Sequence, residues 1–456
     1  MRIVLLSGGS GKRLWPLSNE IRSKIFMKVL PTAEGINESM IQRVCRQLKE
    51  VGLDSSSLIV THKSQVDITI HHVGSQMPII AEPSKRGTFH AVALTAAYLH
   101  SRLQTDPRET ICFIPVDLFA ETAFIERFLR FPAVLQQSQA ELALLGTRPT
   151  FPSDQYGYIV PAADNGAEYY RVEQFAEKPD VNKALALINQ NALWNCGIFA
   201  FPLSFMLSWL DKKGLPVVYE EMLSRYEHLS EVSFDKEVVE QSRHAVVMPY
   251  DGFWNDLGSW EALVQQLESP VIGSGTISED SINTHLVNEL AVPVHVVDVP
   301  NIIVASSNDG ILVASKKSSN RIKEILPKTR PKPMYVEKRW GSSRVLDHSG
   351  ENGQDIAALT KKIEMLPGQN LSYQQHQKRK EVWVVLSGIG EIMLDGKLSP
   401  VQPGDIFQIS SGTKHGIKAV TPLVIIEVQI GTDLTEDDIL RFSMTWEDTL
   451  KYCIKS

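Results

Sequence analysis

Apolar residues in the first 150 positions recur in two rhythms. RIVLLS (2–7) is nearly continuous, as expected of a strand buried on both faces. SLIVTH (57–62), ETICFIPVDLF (109–119) and ELALLGTRP (141–149) repeat that form. Between them, MIQRVCRQLKEVG (40–52), HAVALTAAYLHSRL (90–103) and FIERFLRFPAVLQQSQ (124–139) space apolar positions three and four apart, which predicts helices. Strand and helix in alternation predict an α/β unit built on an open, mixed and mostly parallel sheet. Ligands of such sheets bind beyond the carboxyl ends of the strands. The glycine loop after the first strand and Asp117 both fall there.

The alternation fades after Trp260, which places the end of the first domain near residue 265. Residues 266–326 carry short apolar runs (LAVPVHVVDV, NIIVASS, GILVAS) punctuated by Gly, Asn and Asp. They predict a small β connector, coiled and stacked like a β-helix. Residues 327–340, with prolines at 327, 331 and 333, predict an extended linker. From 341 to 445 every apolar run is short and bounded by Gly or Pro, which predicts a β-barrel, with 446–456 as a tail.

The chain has 456 residues, 43% of them hydrophobic and 22% charged, as in ordinary globular proteins. A net charge of −7 with the signs interspersed argues against a nucleic-acid or membrane surface. No apolar run is long enough to span a bilayer, and Gly and Lys interrupt the N-terminus too early for a signal peptide. Cys45, Cys112, Cys196 and Cys453 form no CxxC pair, so a reducing, cytoplasmic compartment is expected.

The glycine loop is LLSGGSGKRLWPLS (5–18). Glycines let backbone N–H groups approach a phosphate closely, and Lys12 and Arg13 add charge. Two well-known loops fail. A Walker loop needs Ser or Thr after Gly11-Lys12, where Arg13 stands, and a dinucleotide fingerprint needs glycine at position 14, which is Leu14. GGSGKRLWPLS, with Lys24 in RSKIF, instead resembles the GGxGxRLxPLS…PK pattern of sugar-1-phosphate nucleotidyltransferases. EPSKRGT (82–88), PVD (115–117), YGYI (156–159), FAEKPD (175–180), WNCGIF (194–199) and FWNDLGSW (253–260) follow in the order of the mannose-1-phosphate guanylyltransferase branch.

The resemblance implies a Rossmann-like nucleotide-diphospho-sugar transferase domain and a cytoplasmic enzyme, a homo-oligomer and in the first instance a dimer. Its substrates would be GTP, or another NTP, and a hexose 1-phosphate, most simply mannose 1-phosphate giving GDP-mannose. It places Mg²⁺ on Asp117 and Asp256, pyrophosphate stabilisation on Arg13, and the α-phosphate or the incoming phosphate on Lys24. Gly8, Gly9, Ser10, Gly11, Lys12, Arg13, Glu82, Arg86 and Asp117 would bind the nucleotide. Tyr156, Gly157, Glu177, Lys178, Asn195 and Gly197 would bind the sugar phosphate. Such chemistry joins two polyanions, so charge neutralisation and alignment are its main demands. The chain departs from the pattern at Ser23, Gly87 and Leu118, where the family has Pro, Asn and His. A silent sugar-nucleotide-binding protein is therefore carried as a rival.

QQHQKRKEVW (374–383) and KHG around His415 resemble the cupin barrel of mannose-6-phosphate isomerase, which is fused to guanylyltransferases in bifunctional enzymes. The resemblance puts Gln374, His376, Glu381 and His415 at its metal ligands, with Zn²⁺ or another divalent ion implied. Gln377, Lys378 and Val382 replace usual residues, and Lys378 is expected to bring a cation beside that metal. The DxYGR ending is absent, since Arg441-Phe442 runs into SMTWEDTL. These departures count against a working isomerase, so a bifunctional enzyme is the alternative and a stabilising barrel the simpler expectation.

Overall fold

The computed structural model describes the chain apart from residues 10–11, 33, 163–166, 327–332, 350–355, 436–437 and 455–456, and apart from the Lys12 side chain. Two compact units emerge. Met1–Leu14, Ser23–Val66 and His72–Ser269 form the first; Trp15–Arg22, Asp67–His71 and Pro270–Ser456 form the second.

The first unit is organised on a nine-stranded sheet. Its order is Ile79–Glu82, Ser57–His62, Arg2–Leu6, Thr110–Pro115, Leu193–Pro202, Leu142–Thr147, Ala245–Tyr250, Tyr170–Ala176 and Tyr158–Pro161. Arg2–Leu6 runs parallel to both its neighbours, and Leu142–Thr147 runs parallel to Ala245–Tyr250. Leu193–Pro202 and Tyr170–Ala176 run against the rest, so the sheet is mixed. The continuous apolar runs have the cause expected of them: Ser57–His62 and Leu142–Thr147 are buried along nearly their whole length.

Leu193–Pro202 lies antiparallel between the parallel strands, and its ladder to Leu142–Thr147 slips between Asn195 and Phe199. Gly197 sits in that slip at φ +73°, a conformation glycine adopts without strain. The bulge lifts Gly197 out of the ladder just past Asn195, which still pairs with Gly146, at the end of the sheet where ligands are expected. Beneath it, Phe201 stacks on Phe113 and Phe234 at ring separations of 5.5 and 5.7 Å.

Helices form where expected, with one break. Met40–Glu50 starts at a capping box in which Ser39 and Gln42 satisfy each other's backbone N–H groups. The single helix expected over 124–139 is instead Thr122–Glu126, a 3-10 turn Arg127–Arg130, and Phe131–Ser138. Pro132 is the reason. It cannot donate within a helix but suits a first turn, so it starts a new one.

In the second unit, Val271–Gly273, His285–Asn288 and Ile302–Ser307 pair in parallel, so successive turns of chain stack around Leu286, Val296 and Val304. The barrel comprises a six-stranded and a five-stranded sheet over a core that includes Ile363, Trp383, Ile392, Ile417 and Ile425. Three boundaries differ from expectation. Tyr335–Lys338, placed in the linker, is the edge strand of the six-stranded sheet, because its amides pair with Gly341–Ser349. Prolines 327 and 331 lie outside the described residues. The tail contains the helix Trp446–Leu450, held by Trp446 burying its indole and donating to Glu391 at 3.0 Å. Residues 15–22, expected within the first domain, group with the second unit because Arg22, Asn19 and Pro16 find their partners there. Among the described residues, no helix is long and apolar enough to cross a membrane.

Candidate active site

The charged end of the site is built where two distant strands pair. Leu118–Ala120 follows the strand Thr110–Pro115 and pairs antiparallel with Trp254–Asp256, so Asp256 lies opposite Leu118 and next to Asp117. Lys24, on a short 3-10 turn, places its Nζ 2.6 Å from Asp117 Oδ2 and 3.3 Å from Asp256 Oδ1. The lysine is buried while each aspartate side chain keeps 38% of its surface exposed.

Burial acts against the Lys24 charge, yet the two aspartates hold its pKa above the ordinary range. Burial also opposes ionisation of Asp117, but the ammonium wins and keeps that acid low. Asp256 goes the other way: burial, with the Asp117 charge, pushes it up against the pull of Lys24. Two carboxylates facing one cation form a hard oxygen donor set, which fits Mg²⁺. Arg13 donates to Gln155 Oε1 at 3.2 Å, on the same side. Ser10 and Gly11 lie outside the described residues, and so does the Lys12 side chain.

A pocket of about 160 Å³ opens beside this group. Its walls include Asp117 and Asp256 and the sugar candidates Tyr156, Gly157, Glu177, Lys178, Asn195 and Gly197. Tyr156 packs on Trp194 and Trp254 at 4.7 and 5.7 Å, and burial followed by the Asp256 charge pushes its phenol up to about 12. Lys178 pairs with Glu177 at 2.7 Å. A Cβ at Gly157 would lie 2.8 Å from Glu177 Oε2, so glycine there gives the carboxylate its room. Asn195 is held at both ends, with Oδ1 accepting from the Gly197 N–H at 3.0 Å and Nδ2 donating to Asp235 at 2.9 Å.

Sequence reasoning missed Asp235, Gln155 and Trp254. Asp235 lies in SFDKEVVE, a segment that carries no pattern distinguishing it from a solvated turn. Glu82 and Arg86 do not line this pocket. Glu82 stands beside Gly8, where a Cβ would come 3.1 Å from Glu82 Oε2. Glu82 is buried and accepts from the Tyr226 hydroxyl at 2.6 Å, and burial raises its pKa. Arg86 bonds Ser84 Oγ and the carbonyl of Glu227. Gly9 faces open space.

The departure at Gly87 has a local cause. Gly87 adopts φ +81°, and a Cβ there would lie 2.2 Å from the carbonyl oxygen of Val232. That backbone is pinned in place, since Val232 N–H donates to Arg86 and its carbonyl accepts from Phe89. Only glycine fits so close a crossing.

In the barrel, donor atoms of His376, Glu381 and His415 lie within 4.8 Å of one another. Gln374 borders that trio, its side-chain amide 3.3 Å from His376 Nε2. His415 turns Nδ1 to the Thr413 carbonyl, leaving Nε2 buried, without a hydrogen-bond partner and facing Glu381. A lone pair so placed fits a divalent metal. The expected cation is corrected: Lys378 points outward to Asp433, and Arg379 lies 3.0 Å from Glu381 and 3.2 Å from His376. Strand alternation explains this, because Arg379 shares the inward face with Glu381 and Trp383. Burial and then Arg379 lower His376 to about 3, and burial and then Glu381 raise the neighbouring Glu427 to about 7.

Comparison with known proteins follows this division. The family model for nucleotidyl transferase matches residues 2–269, and that for the mannose-6-phosphate isomerase C-terminal domain matches 330–444. Xanthan biosynthesis protein XanB of Xanthomonas campestris pv. campestris (strain B100) is 30% identical over 98% of this chain and 99% of its own. Mannose-1-phosphate guanylyltransferase RfbM of Salmonella typhimurium is 29% identical over 97% of this chain and 98% of its own. The crystal structure of mannose-1-phosphate geranyltransferase from Thermus thermophilus superposes with a TM-score of 0.59 at 26% identity, covering 71% of this chain and 97% of that one.

Proposed function

We propose, from the premise that this chain belongs to the nucleotidyl transferase family, that it joins GTP and mannose 1-phosphate into GDP-mannose and releases pyrophosphate. The observation that carries this is the meeting of Lys24, Asp117 and Asp256 at one pocket with Glu177, Lys178 and Asn195. Cations and carboxylates stand at one end, and hydroxyl-binding groups at the other. Likeness over nearly full length to a mannose-1-phosphate guanylyltransferase supports the choice of sugar and base.

The mannose 1-phosphate oxygen attacks the α-phosphorus of GTP. A P–O bond forms as the bond to the β-phosphate oxygen breaks, and pyrophosphate departs with that electron pair. No protein nucleophile is required. Asp117 and Asp256 would hold Mg²⁺, which when bound neutralises the triphosphate. Lys24 supplies positive charge at the reacting phosphates, and Arg13, steadied by Gln155, at the leaving group. Tyr156, Glu177, Lys178 and Asn195 align the sugar phosphate, which turns a two-body encounter into a nearly intramolecular one. The four unpaired cysteines suit a cytoplasmic setting.

The test is a panel of four NTPs against several hexose 1-phosphates, followed by pyrophosphate release. GTP with mannose 1-phosphate is expected to lead. Folded protein that releases no pyrophosphate with any pair overturns the proposal.

The barrel supports a second reading as a metal-binding cupin. His376, Glu381 and His415 would hold the ion. Arg379 already neutralises Glu381 and would share it with the metal. Purified protein is expected to carry a stoichiometric transition metal by elemental analysis and to lose it on His415→Ala. A coupled fructose 6-phosphate assay is expected to stay silent, since the Arg-bearing ending is missing. Metal retained in His415→Ala would remove this assignment.

A further inference from the structure

Asp235 belongs to the sugar end of the pocket, yet no motif points to it. It opens a π-helical turn, Asp235–Val239, and such turns recur at functional sites. The residue before it, Phe234, is fully buried against Phe199 and Phe201, and its N–H donates to Thr88 Oγ1 at 2.8 Å. At the far end of the turn, Glu240 accepts from the Glu177 N–H at 3.1 Å. The turn is therefore fixed to the core on one side and to the sugar loop on the other.

We infer that Asp235 is a specificity-determining residue for the hexose, acting with Glu177 as a carboxyl pair that reads neighbouring sugar hydroxyls. Three observations carry this. Asp235 lines the pocket together with Glu177 and Asn195. It accepts from Asn195 Nδ2, which sets the amide so that its oxygen faces Gly197 and its NH₂ faces the carboxyl. And nothing cationic bonds Asp235 among the described residues, because Lys178 is engaged by Glu177. Two acids around one ammonium leave a surplus of negative charge in a confined space. Burial and then the Glu177 charge raise Asp235 to about 7, so near neutrality its carboxyl is found both protonated and ionised. A carboxyl that can carry a proton, set beside a second carboxyl, offers both a donor and an acceptor, the complement of a vicinal diol. A site built to bond a hydroxyl rejects the analogue that lacks it more strongly than an apolar pocket rejects a methylene.

The inference rests on the proposed transfer reaction. Wild type, Asp235→Ala and Asp235→Asn are assayed with GTP and mannose 1-phosphate, then with the monodeoxy mannose 1-phosphates. The alanine variant is expected to raise KM for mannose 1-phosphate about 10- to 100-fold, the range for a hydrogen bond to a charged group. KM for GTP should hold within about twofold, as expected when only sugar contacts are lost. One deoxy sugar should be poor with wild type yet no poorer with the variant than mannose 1-phosphate. Asp235→Asn keeps an acceptor for Asn195 and puts an amide N–H donor where the acid has its O–H, so it should recover part of the sugar affinity and of the deoxy discrimination that the alanine variant loses. An alanine variant that still rejects every deoxy sugar as strongly as wild type does would mean that Asp235 acts only by holding Asn195, and that overturns the inference. Equal losses on every sugar and on GTP overturn it as well, as a general structural defect. A wild type silent with every substrate pair instead brings down the transfer reaction itself, and this inference with it.

Discussion

Lys24→Met is expected to lower the rate of pyrophosphate release about 10³-fold, the size of effect seen when one preorganised charge is removed from a transition state. Lys24 Nζ stands 2.6 and 3.3 Å from the two aspartates that would hold the metal. It has two effects that act in the same direction. It keeps Asp117 ionised, and in the proposed transfer it would supply positive charge where the five-coordinate phosphorus gathers negative charge. Without it, Asp117 and Asp256 face each other as like charges. Asp256, already pushed up by burial and by Asp117, then binds a proton more readily and becomes a poorer ligand. Lys24→Arg keeps the charge but not the compact point geometry, so it should recover only part of the rate. Because each aspartate keeps 38% of its side-chain surface exposed, water can take up part of the stranded charge and stability should fall little. A melting curve run beside the assay separates chemistry from folding. A methionine variant within a few-fold of wild type would falsify the assignment of Lys24.

Arg22→Met should do the reverse, leaving chemistry to follow stability. Arg22 is 6% exposed and meets Glu289 in a two-pronged bond of 2.8 and 2.9 Å. Its Nε lies 3.1 Å from Glu337, itself 3% exposed, and its Nη1 donates to the Leu17 carbonyl at 3.1 Å. Removing one partner of a buried ion pair strands the other, a loss of about 3–5 kcal/mol. The nearby His71, 3.5 Å from Glu337, replaces that charge only when protonated. At roughly 2–4 °C per kcal/mol, calorimetry of the full chain should show a transition lowered by about 6–20 °C. Arg108→Met is the control. Its pair with Asp106 is fully exposed and screened by water and salt, so its melting should hardly move. Equal behaviour of the two variants would show that the Arg22 network contributes no more than a surface contact.

Some of the site was legible before any coordinates. Asp117 stood at the end of an apolar strand, and glycines followed the first strand. Lys24, Glu177, Lys178, Asn195 and Asp256 sat in motifs whose order matched a family. Asp235 and Arg22 were not legible. Each is a polar residue in a segment that looks like a solvated turn, and each owes its importance to a partner far along the chain: Asn195 for one, Glu289 and Glu337 for the other. The barrel shows the same limit at shorter range. A sequence reading assigned the intruding cation to Lys378, whereas strand alternation turned Arg379 inward.

What the amino-acid sequence determined by itself was local and periodic. Hydrophobic rhythm chose strand or helix, Ser39 with Gln42 set a helix start, and motif order identified the kind of chemistry. Only the tertiary structure decided which residues meet. A sheet crossing inserts Leu193–Pro202 among parallel strands, a bulge brings the Gly197 N–H to the Asn195 amide oxygen, and a backbone crossing at Val232 demands Gly87. The physical reason is that periodicity records which face of an element is buried. Ion pairing, desolvation and close approach depend on distances between elements, which no stretch of chain contains alone.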